Sequence, residues 1–412
     1  MNEPLNLCYL ADVSNIHVRR WLSFFAQRGH LVTCLSDKPG ELDGVTVLNI
    51  PNRDTLMARG EKKVSKTRVL KARKAIIRQH IALLKPDVLH GIFLYQRGWS
   101  AVAANYAPTV LTLLGSDIYL PRHHYRNGLQ LWRDRQLNRL SLRLCDLVTA
   151  VSNDLKVRAE SMVGNQPPVE LLPIGTNPAF FMPDIDTNAL RRSLTIPDNA
   201  YVIFSPRQIT PLYNQDVILK SLPRVLEEIP DAVLILKDAF KEDSDKRRAY
   251  VENLKTLAGD LGVAASVRWV DEVPMSELAR YYNLADVVVS VPSTDGMPVT
   301  LFDAMACRKP VIVGDLSSYD EVIMHGQTGL RVPTHNQQAL AQAIIKLRNN
   351  PELVQRIVDE SQVILQAYGL FDQQMQRMER YYFGLKFGTL GRKAGPARAI
   401  DRFCFNALVA LT

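Results

Sequence analysis

The sequence predicts an α/β protein made of two doubly wound parallel-sheet domains that face each other across a cleft. Three observations lead there. At 412 residues the chain is too long for one typical core. Short apolar runs alternate with polar or helix-patterned stretches, the pattern of a parallel sheet covered on both faces. The alternation breaks at TNPAFFMPDIDTN (176–188), rich in Pro, Asn and Asp, and then starts again.

In order along the chain, LNLCYLAD (5–12) reads as a buried strand. HVRRWLSFFAQRG (17–29) reads as a helix with a Gly stop, and HLVTCLSD (30–37) as the next strand. GVTVLNI, PDVLHGIF, PTVLTLLGSD, DLVTAVS and VELLPIG complete the first set of strands. Past 176–188, the second set runs YVIFSPR, AVLILKDA, SVRWVDEV and DVVVSVP, with QDVILKSLPRVLEEIP and MSELARYYNLA as helices between them. The expected organisation is one domain over 1–175, a second over 176–375, and a tail over 376–412 that returns to the first domain. In such sheets ligands sit outside the carboxyl ends of the strands.

Composition is ordinary for a globular protein, 47% hydrophobic and 22% charged. The charge is uneven: residues 1–180 hold 24 Lys and Arg against 14 Asp and Glu, a net of +10, while 181–412 net −2. The first half should therefore meet an anionic partner. The five cysteines are scattered and odd in number, with no C-x-x-C pair, which speaks for reduced thiols in a cytoplasmic protein and against a zinc site. No apolar run approaches the ~18 residues of a membrane span, and the start MNEPLNLCYL lacks the charged beginning of a signal peptide.

The chemistry concentrates in SVPSTDGMPVTLFDAMACRKPVIVGD (290–315). Asp295 follows a strand-like run, Gly296 permits close backbone approach, and Pro298 suits the start of a helix. Amides near Met297 and Val299, with the helix dipole, suit phosphate oxygens. Asp303 lies about two turns into that helix, too far to cap it. Two carboxylates flanking an amide nest fit a sugar nucleotide; a capping Asp295 and a solvated Asp303 fit the same spacing.

The stretch D-G-M-P-V-T-L-F-D-A-M-A-C-R-K-P-V resembles the signature of family 4 glycosyltransferases, E-G-F-G-L-x-x-x-E-A-M-A-C-G-K-P-V, with Asp at both acidic places. SYDEVIMHGQTGLRVP, LLPIGTNPAFFMP, SPRQITPLYNQDVILKSL and the opening SNIHVRRW…QRGHLVT resemble other segments of the family, so the likeness runs over nearly the whole chain. It implies the GT-B fold, two Rossmann-like domains, and retaining transfer of a sugar from a UDP- or GDP-sugar donor. Carried onto this chain, it assigns the donor phosphates to Arg207 and the sugar hydroxyls to Asp295. Asp303 takes the ribose, and the backbone of Gly296, Met297, Pro298 and Val299 lines the donor. No metal and no cofactor are expected, because Arg and Lys groups and a helix end supply the positive charge that helps a diphosphate leave.

The departures are specific. Asn214 stands where the family's Lys is expected, and Lys237, after VLIL, is the candidate replacement. The acceptor-side His is missing from LLGSD, leaving Ser116 and Asp117, with Asn15 and His17 of the first loop, as candidates to hold the acceptor. Asp117 joins Asp295 and Arg207 as a candidate catalytic residue. The basic segment EKKVSKTRVLKARKAIIRQHIALLK (61–85) reads either as an amphipathic helix on anionic lipid or as a packed surface helix. The mixed basic and apolar tail (386–412) offers a second contact of the same kind. Nucleic acid is not an expected partner, since no recognised binding pattern accompanies the charge. The expectation is a cytoplasmic enzyme, peripheral on the inner face of the membrane, acting on a glycan or lipid-linked saccharide in polysaccharide or lipopolysaccharide assembly. The alternatives are a binding-only partner subunit and a sugar-nucleotide epimerase.

Overall fold

The computed structural model describes residues 3–58, 64–120, 127–164, 166–238, 245–391 and 396–410. The chain divides into two compact units, Met1–Ile174 with Asp372–Thr412, and Gly175–Phe371.

In the first unit seven parallel strands lie in the order β3-β2-β1-β4-β5-β6-β7. They are β1 (Asn6–Ala11), β2 (Leu31–Ser36), β3 (Val45–Asn49), β4 (Val88–Ile92), β5 (Thr109–Leu113), β6 (Leu147–Ala150) and β7 (Val169–Leu171). In the second unit six strands lie in the order β10-β9-β8-β11-β12-β13. These are β8 (Val202–Ser205), β9 (Val233–Lys237), β10 (Val267–Val270), β11 (Val287–Ser290), β12 (Val311–Gly314) and β13 (Leu330–Val332). The central strands are buried end to end because both faces of each sheet are covered. Each sheet reverses its winding once, between β1 and β4 and between β8 and β11. Neighbouring chain segments diverge at such a reversal, so it opens a crevice at the strand ends.

The helices around these sheets include α1 (Ile16–Gln27), α2 (Lys66–Leu84), α3 (Gly128–Leu144), α4 (Gln215–Glu228), α5 (Met275–Leu284), α6 (Val299–Ala306), α7 (Phe371–Lys386) and α8 (Pro396–Ala410). Asn15 caps α1, its oxygen accepting from the amides of His17 and Val18 at 2.9 and 3.3 Å. The predicted stop is Gly29, whose φ of 86° a side chain would resist. α1 buries Trp21 and Phe25, and Phe25 lies beside Tyr382 of α7.

The segment 176–188, expected as a linker, is packed. Phe181 is buried against Tyr282, and the Thr176 amide donates to Gly369 O at 2.7 Å. Gly175 is required there: at φ 75°, an added Cβ would sit 2.7 Å from the Gly369 carbonyl oxygen.

The described part of the basic segment follows the second of its two readings, a helix packed on the first unit. Residues 61–63 of it, including Lys62 and Lys63, lie outside the described residues. Val69, Leu70, Ile77 and Ile81 of α2 are buried in the first unit, so this apolar side is not available to lipid. Arg73 is internal, donating to Pro51 O at 2.6 Å and pairing with Asp37 at 2.9 Å. Among the described residues no helix is long and apolar enough to cross a membrane.

Candidate functional site

The second unit places its chemistry at the β8–β11 reversal. β8 ends in Ser205-Pro206 and delivers Arg207; β11 ends in Ser290 and the loop that carries Asp295. Arg207 Nη2 lies 2.8 Å from Asp295 Oδ2, with the two side chains 10% and 14% exposed. Arg207 Nη1 donates to Thr300 Oγ1 in the first turn of α6 at 3.2 Å. The Tyr213 ring stacks against the guanidinium at 4.2 Å. Burial works against the Arg207 charge, but Asp295, Tyr213 and Tyr319 outweigh it and hold its pKa above the ordinary value.

The Asp295 carboxylate is held on both oxygens. Oδ2 also accepts from the Tyr319 hydroxyl at 3.1 Å, and Oδ1 accepts from the Gly296 amide at 2.9 Å. The Gly296 amide, expected to face donor phosphate, is therefore committed to its neighbour, because an Asp side chain reaches the next backbone amide. Met297, Pro298 and Val299 are buried as the loop enters α6, and no side chain caps that helix start. Its first amides and positive dipole end lie beside Thr300, which Arg207 contacts.

Asp303 is neither a cap nor solvated. It is buried on α6, and its Oδ1 accepts from the Thr176 hydroxyl at 2.5 Å. Lys237, at the end of β9, is buried beside the same reversal. Burial lowers its pKa, with Asp238 and Glu272 opposing and Arg207 adding to the shift.

Asn214 does not face the cluster. Its backbone is left-handed (φ 52°, ψ 43°), its Nδ2 donates to Val291 O at 2.8 Å, and its Oδ1 accepts from Ser293 at 3.2 Å. It therefore locks the β11 loop, and the side chain that meets Arg207 is Tyr213, one residue earlier.

The first unit has a matching arrangement at the β1–β4 reversal. Asp12 follows β1, and Arg97 lies in the turn after β4. Arg97 Nη2 is 3.2 Å from Asp12 Oδ2 and 2.8 Å from Asp37 Oδ1, and Asp37 also pairs with Arg73. Burial opposes the Asp37 charge, yet the two guanidiniums keep its pKa below the usual carboxylate value. The same turn holds Phe93 and Gln96 at φ 78° and 61°, strained values for side-chain-bearing residues.

The acceptor-side expectations fare differently. Asp117 is wholly buried, and its carboxylate accepts from the amides of Leu94 and Gly115 at 2.8 Å and of Leu114 at 3.3 Å. A carboxylate enclosed by backbone amides organises its turn and presents nothing to a ligand, which corrects its reading as a catalytic group. Ser116 beside it is exposed, Asn15 spends its oxygen on the α1 cap, and His17 sits half-buried in the first turn of α1.

Sequence reasoning missed Tyr213, Tyr319, Arg97, Asp12 and Asp37. The two aspartates end the strands LNLCYLAD and HLVTCLSD, a position that could have marked them. Tyr319, one aromatic in the polar turn SSYD, carried no such signal. Among the described residues no group of three or more His, Cys, Asp or Glu side chains is arranged to hold a metal.

Two family models match this chain: one described as glycosyl transferases group 1 over residues 186–363, the other as glycosyl transferase 4-like over 6–152. A GDP-mannose-dependent alpha-(1-6)-phosphatidylinositol monomannoside mannosyltransferase from Mycolicibacterium smegmatis is 29% identical over 214 residues, 50% of this chain and 54% of that protein. A D-inositol 3-phosphate glycosyltransferase from Streptomyces bingchenggensis is 28% identical over 184 residues, 44% of this chain and 40% of that protein. The chain thus spans about half the length of the curated relatives it matches. Among solved structures, sucrose-phosphate synthase from Thermosynechococcus elongatus superposes with a TM-score of 0.77 at 17% identity, covering 94% of this chain and 100% of that one. Anabaena Alr3699/HepE in complex with UDP-glucose gives a TM-score of 0.74 at 16% identity, covering 92% and 100%. At such identities the likeness concerns the fold, which is GT-B.

Proposed function

As the chain belongs to the group 1 glycosyltransferases, we propose that it transfers a sugar from a nucleoside diphosphate donor to an acceptor hydroxyl, with retention of configuration. The observation that carries this is the Arg207–Asp295 pair at the reversal of the second sheet, with Tyr213, Tyr319, Lys237 and the α6 start around it. In the reaction the bond from the anomeric carbon to the diphosphate oxygen breaks, the acceptor oxygen bonds to that carbon, and the acceptor proton passes to the departing diphosphate oxygen. Negative charge grows on the departing diphosphate. Arg207, Lys237 and the α6 amides are the donors that meet it, already in place and poorly hydrated. Asp295 accepts from the hydroxyls of the transferred sugar. Asp303, held by Thr176, takes the ribose. No metal is required, since the cationic work falls to side chains and a helix end.

The donor is a UDP- or GDP-sugar, in line with the GDP-mannose named for one relative and the UDP-glucose bound by a structural neighbour. The acceptor is a glycan or lipid-linked saccharide in cell-envelope or polysaccharide assembly, consistent with the phosphatidylinositol mannoside and inositol phosphate acceptors in the relatives' names. The test is a thermal-shift screen of nucleotide sugars followed by donor turnover, since a ligand specific for the folded chain raises its melting point. Turnover that is lost in Arg207→Ala and Asp295→Ala supports transfer. Tight donor binding without turnover on any acceptor leaves a binding-only subunit as the function.

A further inference from the structure

In the first unit α8 lies between α3 and α2. Arg143 Nε, near the end of α3, is 3.0 Å from Asp401 Oδ2, and Arg398 Nη2 donates to Leu144 O at 3.0 Å. On the other side Lys74 Nζ donates to Asn406 Oδ1 and Lys71 Nζ to Ala410 O, each at 3.5 Å. Phe405 and Val409 point inward and are buried. The outward face of α8 is then Ile400, Phe403, Cys404 and Ala407, all exposed. A helix that turns an unbroken apolar stripe to the outside is missing a partner.

The rim of this face is cationic. α3 shows Leu129 and Trp132 outward together with Arg135 and Arg139, and α2 shows Lys71 and Arg78. Phe403 is 75% exposed, Leu129 74% and Trp132 51%. α2 contains no acidic residue, and the single Asp of α3 (Asp134) and of α8 (Asp401) are both buried in ion pairs with Arg. Arg402, whose guanidinium donates to Val102 O, is pushed down to about 10 by burial and by its neighbours Arg398 and Arg78, a sign of crowded positive charge.

We propose that the outward face of α8, rimmed by α3 and α2, docks on a bilayer surface bearing anionic phospholipid. Phe403, Ile400 and Trp132 enter the boundary between headgroups and acyl chains, and the Lys and Arg rim meets the lipid phosphates. A second copy of this chain is the weaker fit, because apposing two such faces brings like charges together at the rim. Of the two readings of 61–85, the lipid-facing one is thereby divided: α2 supplies charge only, and α8 and α3 supply the apolar contact.

The experiment is co-sedimentation of the full chain with vesicles of phosphatidylcholine, alone or mixed equally with phosphatidylglycerol, with no donor or acceptor present. Its outcome is thereby independent of sugar transfer. The chain pellets with mixed vesicles and not with neutral ones. The pair Ile400→Ser and Phe403→Ser lowers the partition about tenfold or more, as two large apolar side chains lost from the interface require. Arg135→Glu and Arg139→Glu each lower it at least roughly fivefold. Trp132→Ser, on a different helix, provides an independent check, and all five positions are exposed, so melting temperatures stay at the wild-type value. Equal pelleting on neutral vesicles, variants that bind like wild type, or a dimer that Phe403→Ser dissolves would each overturn the proposal.

Discussion

Arg207 and Asp295, 88 positions apart in the chain, meet at 2.8 Å across the reversal of the second sheet. The guanidinium is pinned from three sides, by Asp295, by Thr300 and by the face of Tyr213. Under the proposed function, a diphosphate would find its cation already oriented here, and Asp295 would turn to a sugar as the phosphate takes over the charge. Replacing Arg207 with Ala should lower kcat by about a hundredfold to a thousandfold, the usual effect of losing one preorganised donor. It also strands Asp295. Breaking a fully buried pair costs roughly 3–5 kcal/mol, and the partial exposure here should reduce that. Turnover that survives this variant would remove Arg207 from the reaction.

Tyr319 is a positioning residue in this arrangement, because its hydroxyl touches the carboxylate and not the expected reacting atoms. Tyr319→Phe keeps the ring and deletes one hydrogen bond to a charged group, worth about 1.5–3 kcal/mol at most. Donor KM should stay within about twofold while kcat falls roughly tenfold, a split expected when geometry at the reacting centre is lost. A proportionate rise in KM with unchanged kcat would assign the hydroxyl to donor binding instead.

Lys237 gives a pH signature. Burial lowers its pKa from the ordinary 10.5, with Asp238 and Glu272 resisting and Arg207 assisting. Between the lowered value and 10.5 the unfolded chain binds more protons than the folded one, so stability contributed at this site rises with pH over that window. A bound diphosphate reverses the preference by favouring the charged amine. Nucleoside diphosphate affinity should therefore weaken as pH climbs through the lowered pKa. Lys237→Met should bind about tenfold more weakly at neutral pH, the equivalent of about 1.4 kcal/mol, and lose that pH dependence. Titration calorimetry at several pH values decides; an unchanged profile in the variant excludes Lys237 from the site.

Thr176 and Asp303 test the coupling of the segment 176–188 to α6. Thr176→Val keeps the shape and removes the donor to a buried carboxylate, so it should cost about 1.5–3 kcal/mol in urea denaturation. A loss well below about 1 kcal/mol would mean the two groups are satisfied independently.

Asp117→Asn should act on stability. Asn offers a single acceptor oxygen where the carboxylate serves three amides, and an unsatisfied buried donor costs about 1–3 kcal/mol. Activity per folded molecule should stay close to wild type. A variant that is fully stable but inactive would restore the catalytic role expected from its place in LLGSD.

Much of this was legible in the chain. Runs such as VLIL (233–236) and VVV (287–289) are apolar because both faces of a parallel sheet are covered, so the alternation of such runs with helical stretches announced two doubly wound units. Arg207 and Asp295 could be singled out because each follows a strand run, at the end of the sheet where ligands bind, and because the family resemblance falls on both. Residues whose roles depend on distant neighbours were not. Asp117 looked like a site residue until the amides of Leu94, Leu114 and Gly115 closed around it. The spacing of Asp303 fitted a ligand-binding or a solvated carboxylate and gave no sign of the Thr176 hydroxyl that covers it, and Tyr319 and Tyr213 had no signature at all.

By itself the sequence determined the architecture and the chemical types at the strand ends, since burial pattern and turn chemistry are local properties of neighbouring residues. The tertiary structure alone decided which carboxylates remain presented to a ligand, which cation stands beside which ring, and which helix turns an apolar face outward. Those outcomes depend on groups far apart in the chain competing for the same hydrogen bonds and the same buried space, and that competition is resolved only when the chain is folded.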